Sequence, residues 1–137
     1  MNNIGFNVQR GRAVVEIVWE EFGLIRTLTG VITTEEMDTS ARRIQAHPQL
    51  DEMRYNIHDF SGVTEALLDD DDVEFLAVRA SISLQRNPRI RLSFVGTHPI
   101  VHELVAAFNN SGCSKHRIRR FDTLEEARRY SAGSRSI

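Results

Sequence analysis

The sequence predicts an α/β fold in which an N-terminal antiparallel hairpin leads into a mostly parallel sheet with helices mainly on one face. Three observations predict it. β-rich runs fill the chain up to residue 31 before any helical period appears. From residue 33 onward helical stripes alternate with short strands, the pattern of parallel neighbours joined by right-handed crossovers. The inner strands alternate apolar with polar residues, whereas strands covered on both faces read as unbroken apolar runs, so helical cover is expected to be lopsided.

Residues 4–8 and 13–19 are β-rich runs separated by Gln9, Arg10, Gly11 and Arg12, a connection with the length and glycine of a hairpin. Ala13, Val15, Ile17 and Trp19 fall on one face of the second run, and a third run over 24–31 follows Gly23. Thr33 with Glu36 three residues on has the form of a capping box. It predicts a helix over 34–47 that buries Met37, Ala41 and Ile44 and stops at Pro48. A strand follows over 55–60. The next helix, over 72–86, carries Val73, Leu76, Ala77, Ala80 and Leu84 on one stripe and ends at Asn87-Pro88. Residues 90–95 read as a strand, and Gly96-Thr97 turns into a helix with Pro99 in its first turn and Ile100, Leu104, Val105 and Phe108 as its stripe. A last strand over 118–121 leads to a terminal helix capped by Asp122 with Glu125. Residues 1–130 are expected to form one domain and 131–137 a frayed tail.

With 137 residues the chain is long enough to bury a core without staples. Hydrophobic residues make up 41% and charged residues 26%, which argues against bulk disorder. Seventeen Lys plus Arg against 19 Asp plus Glu exclude a strongly basic nucleic-acid binder. The lone Cys113 closes no intramolecular disulfide and builds no zinc cluster, which fits a reducing, cytoplasmic setting. No secretory leader or transmembrane run is expected.

The stretch Ile57-His58-Asp59-Phe60-Ser61-Gly62-Val63-Thr64 resembles the central motif of the STAS domains, the anti-sigma-factor-antagonist fold. Leu28-Thr29-Gly30-Val31-Ile32-Thr33 is similar to that family's strand-Gly-helix start, and Phe121-Asp122-Thr123-Leu124-Glu125-Glu126-Ala127 to its C-terminal strand-to-helix signature. Together these cover most of residues 13–130. The chain resembles in particular the divergent bacterial STAS-like proteins that share an architecture with Sec14-type lipid-binding domains. Phospho-switching members carry a serine at the start of the helix after the central strand, in an Asp-Ser-Ser-Gly-like turn. Residues 65–72 offer Leu67, Leu68 and four aspartates but no serine or threonine, so the resemblance implies no kinase-regulated switch here. Asp70 and Asp72 have a structural reason to exist, since a carboxylate at a helix N-terminus gains about 0.3–1 kcal/mol.

The alternation of strand residues predicts an open sheet face bearing Arg54, His58, Arg91 and Arg119. Ligands of open α/β sheets collect at the carboxyl ends of the strands, which adds Asp59, Ser61, Thr97 and His98 as candidates for partner or ligand binding. Other constellations read more simply as structure. His98 and His102 are four apart on one helix but lack a third ligand, so no metal is expected. Asp59 and Ser61 lack the strand-to-helix elbow of a hydrolase, and no glycine-rich phosphate loop is present, so neither catalytic residues nor a cofactor are expected. Lys115, His116, Arg117, Arg119 and Arg120 form a basic cluster with no aromatics spaced for base stacking. These readings favour a non-enzymatic regulatory or interaction domain with a protein partner or a second copy of itself. The alternative is a carrier of a small anion or lipid, as the Sec14 likeness implies.

Overall fold

The computed structural model describes residues 13–133. Strands β1 (Val14–Glu20) and β2 (Gly23–Thr33) precede helix α1 (Thr34–Ala46), and a short 3-10 turn (Pro48–Glu52) leads to β3 (Tyr55–Leu67). Helix α2 (Asp70–Arg86), strand β4 (Arg91–Val95), helix α3 (Pro99–Asn110), strand β5 (Arg119–Phe121) and helix α4 (Leu124–Ala132) complete the order. The five strands lie side by side in chain order, with β1 antiparallel to β2 and every later pair parallel.

That order explains the lopsided cover. Three successive right-handed crossovers stepping the same way across a sheet must deposit α1, α2 and α3 on the same face. Only α4, which follows the last strand, is free to cross to the other face. Leu24, Leu28, Ile32, Phe60, Leu92 and Phe94 pack beneath the three-helix layer in the larger core. Ile25, Ile57 and Val95 meet Ala127 of α4 in a smaller one.

The hairpin within the described residues joins β1 to β2 through Glu21 and Phe22; the run over 4–8 and the turn at Gln9 to Arg12 lie outside them. The Thr33–Glu36 capping box forms, with the Thr33 amide donating to Glu36 Oε1 at 2.7 Å. Strand β3 is seven residues longer than its predicted end at Phe60, because β2 continues beside it to the Thr33–Leu67 pair. Two register shifts, at Thr27/Thr29 and Gly30/Val31, absorb the extra β3 residues. Ser61 therefore lies within the strand and not in a loop. Helix α4 continues to Ala132 with Ser131 buried, two residues beyond the expected end of the domain.

The cap of α4 differs by one residue from the sequence reading. Thr123 Oγ1 accepts from the Glu126 amide at 3.2 Å, and Glu126 Oε1 accepts from the Asp122 and Thr123 amides. Asp122 instead pairs with Arg120. Thr123→Ala should cost about 1 kcal/mol in urea unfolding, the usual value of an N-cap. Asp122→Ala should stay within about 0.5 kcal/mol, as expected of an exposed pair.

Candidate functional site

Parallel strands all begin at the same end of a sheet, so residues placed just before them gather there. Arg54 precedes β3, and Arg89 and Arg91 flank the start of β4; Tyr55 and Arg91 are register partners. Helix α4 runs back over this end, and Ser131, Ala132 and Gly133 at its C-terminus line the same space as the arginines. The result is a cleft of about 360 Å³ at the amino ends of the inner parallel strands.

Two close approaches shape it. A Cβ on Gly23 would stand 2.5 Å from the Tyr55 ring, so only glycine lets that ring lie across the start of β2. Gly133 adopts φ +64 at the end of α4, and a Cβ there would come within 2.8 Å of Arg91 Nε. The Arg91 guanidinium also lies 5.4 Å from the Tyr130 ring centre, and that of Arg54 lies 5.5 Å from the Phe22 ring centre.

The charges are unequal. Glu20 accepts from Arg128 at 2.8 Å and from the Tyr55 hydroxyl, and the Arg128 contact holds its carboxyl below the usual range. Burial first, and Glu20 second, push the Tyr55 hydroxyl up to about 12, so it stays protonated. His116 lines the same cleft, where burial and then the charges of Arg91 and Lys115 pull its pKa down. Among the described residues no carboxylate pairs with Arg54, Arg89 or Arg91; Arg89 donates to the Asp51 carbonyl at 2.8 Å.

Arg54 and Arg91 are thus brought together, but the other candidate binding residues, His58, Asp59, Ser61, Thr97 and His98, go elsewhere. His58 is a correction: it is buried, only 5% exposed, and its Nδ1 accepts from Arg26 Nε at 3.0 Å beneath the three-helix layer. The reason is register. His58 pairs with Phe94 and Ile57 with Ser93, so the apolar alternates of β3 and β4 face opposite ways. Taking them as one face shifted the reading by one residue, which turns every side chain over. A wet part of the sheet does exist, on the α4 side, but it carries Val14, Glu16, Val18 and Thr29 and not a row of arginines.

Asp59 and Ser61 stand near the carboxyl end of the inner sheet, where Asp59 Oδ1 accepts from the Ser61 amide at 3.0 Å and from its hydroxyl at 2.6 Å. These bonds serve the bulge. Thr97 is exposed, and His98 caps α3, its Nδ1 accepting from the Ile100 amide at 3.1 Å. His102 is exposed, and among the described residues no three His, Cys, Asp or Glu side chains converge. The basic cluster disperses: His116 joins the cleft, Arg120 binds the Gly96 carbonyl and Asp122, and Arg119 lies over Phe121 and Tyr130.

A second surface lies on α2. Phe75, Val78 and Ile82 are 43%, 63% and 48% exposed and follow one another at helical spacing along its outer side. At the helix start Asp69 Oδ1 accepts from the Asp72 amide at 2.8 Å and Asp72 Oδ2 from the Asp69 amide at 3.0 Å, so two of the four aspartates form the cap itself.

No protein-family model and no curated protein sequence matches the chain. Solved structures do. The anti-sigma factor antagonist SpoIIAA in its unphosphorylated form superposes with a TM-score of 0.60 at 15% identity, over 90% of this chain and 98% of that one. An anti-sigma factor antagonist from Mycobacterium paratuberculosis gives 0.59 at 12% identity, over 87% and 93%. An uncharacterized DUF3478-family protein with a SpoIIAA-like fold from Shewanella loihica gives 0.55 at 13% identity, over 86% and 92%. The described chain, with its single antiparallel pair, its otherwise parallel sheet and its one-sided helical layer, has the STAS-like fold.

Proposed function

We propose that the chain is a non-enzymatic regulatory domain that acts by binding a protein partner through the outer face of α2, without a phosphorylatable switch at the start of that helix. The observation that carries this reading is the exposed stripe Phe75, Val78 and Ile82, an apolar ridge that the fold leaves unused. Apolar side chains grouped on an exposed surface mark an interaction site more often than scattered ones do. The stripe begins one turn beyond the helix start at which phospho-switching STAS domains carry their serine. Two of the similar structures are described as anti-sigma factor antagonists, a description that implies action on another protein. Here carboxylates occupy that helix start, and Asp69 and Asp72 are committed to capping, so binding is read as constitutive.

A lipid carrier would need an apolar cavity of about 300 Å³ or more. The apolar cavity between α1, α2 and the sheet holds about 50 Å³. That favours binding at a surface over storage of an acyl chain.

A photo-crosslinking residue placed at position 78 should yield one discrete adduct in cells that make the protein, and the same residue at exposed position 117 should not. Val78→Asp should weaken the partner at least about tenfold while leaving the melting temperature nearly unchanged, because the side chain is exposed in the free domain. An adduct of twice the chain mass would identify the partner as a second copy. Equal labelling from positions 78 and 117, or none, would remove the reading.

A further inference from the structure

The cleft at the amino ends of β3 and β4 is independent of the α2 surface, and among the described residues no carboxylate balances three of its arginines. The whole chain carries a formal charge of −2, yet Arg54, Arg89, Arg91, His116 and Arg128 line one space of about 360 Å³. Glu20 accounts for Arg128, and no carboxylate among the described residues accounts for Arg54, Arg89 or Arg91. Like charges gathered in a concavity repel one another and strengthen the local potential, an arrangement that an incoming anion relieves. We propose that this cleft binds a phosphate monoester, its dianionic head among Arg54, Arg89 and Arg91 and its organic part against Phe22 and Tyr55.

The geometry favours phosphate over a simple carboxylate. Three arginine side chains line one cleft, and a phosphate offers three acceptor oxygens and up to two charges to match them. Two of the forks are already placed: Arg91 lies over Tyr130 and against Gly133, and Arg54 lies over Phe22, so little side-chain freedom is lost on binding. The space falls within the range of small-ligand pockets, about 300–1,000 Å³. The pKa of His116, lowered in the free protein by burial and by Arg91 and Lys115, would rise as the anion arrives.

Phosphate monoesters occur both as soluble molecules and as the headgroup of an acidic lipid, and the experiment separates the two. Phenyl phosphate is titrated into the wild-type chain at low salt, with binding followed by calorimetry and by the His116 imidazole resonances. Vesicles of phosphatidylcholine with and without phosphatidic acid are sedimented in parallel. Saturable binding of phenyl phosphate that raises the His116 pKa, weakens at least tenfold in Arg54→Gln and in Arg89→Gln, and persists in Arg43→Gln on distant α1 establishes a soluble ligand. Binding only to vesicles with phosphatidic acid, with the same arginine dependence, establishes the headgroup as the source. Absence of binding in both arms, phenyl phosphate binding that leaves His116 unmoved, or equal weakening by Arg43→Gln overturns the proposal. Arg54 and Arg89 are exposed, so their variants retain the fold, and the histidine resonance reads the site without any substitution.

Discussion

Arg26→Ala should destabilise the domain by about 3–5 kcal/mol, the range found when one member of a buried polar set is removed and a cavity is left. Arg26 is 4% exposed in the middle of β2, facing α1. Its Nε donates to His58 Nδ1 at 3.0 Å, and its Nη1 donates to the Ser40 hydroxyl at 2.7 Å and to the Met37 carbonyl at 3.2 Å. No carboxylate is among these partners, and burial draws the guanidinium pKa down to about 10, so it remains charged at neutral pH. Truncation leaves the buried His58 Nδ1 without its donor and takes one bond each from the Ser40 hydroxyl and the Met37 carbonyl, which still bond each other, and it removes the contact that ties α1 to both β2 and β3. Arg26→Met should lose less, because most of the stem volume stays while a desolvated charge disappears. Urea unfolding of the two variants checks this, and a loss below about 1 kcal/mol for alanine would show that α1 is held by its apolar face alone.

The same arginine shows which part of the fold is legible in the sequence and which is not. The order of elements, the crossover helices and the Thr33–Glu36 cap follow from period and capping chemistry, which are local. One-sided cover was expected from the alternation of the inner strands, but it arises from the strand order, a tertiary fact that makes all three crossovers step the same way. Register could not be read. Whether His58 stands beside Arg91 or beside Phe94 depends on how two strands slide past each other, and neither strand's own alternation says. Arg26 sits in an apolar run, Leu24-Ile25-Arg26-Thr27-Leu28, where a charged residue was a signal of a buried polar contact that went unread. Strand β3 was cut short because Asp59, Ser61 and Gly62 are turn formers by composition, and only pairing with β2 keeps them extended. Two of the basic residues of the cleft were within reach, since Arg54 and Arg91 both flank parallel strand starts. Arg89 precedes the same strand start as Arg91, whereas Phe22 and Arg128 join the cleft only through the hairpin turn and the return of α4, which are tertiary facts.

Acidification below pH 6.5 should weaken the fold, and His58 should be the main cause. His58 is sealed beneath the helices, its ring centre 5.0 Å from that of Phe94, and burial followed by the charge of Arg26 holds its pKa well below the ordinary value. Its Nδ1 can accept from Arg26 only while unprotonated. Above the unfolded pKa of about 6.5 both states are neutral and stability is fully present; below it the unfolded chain takes up a proton that the folded chain refuses. Each further pH unit then removes up to about 1.4 kcal/mol until the folded pKa is reached. The lowered carboxyls of Glu20, Asp51 and Asp72 act in the same direction but only below about pH 4.5, where their unfolded counterparts protonate, so the two windows are separable. His116, also lowered, contributes in the upper window as well. In His58→Gln the amide oxygen can still accept from Arg26 but does not titrate. Its urea midpoint should therefore hardly change between pH 6.5 and 5, whereas that of His116→Gln should fall nearly as in the wild type. A wild-type midpoint that is level across this window would mean that His58 binds its proton in the folded state, and the Arg26–His58 contact would then have to open at mild acidity.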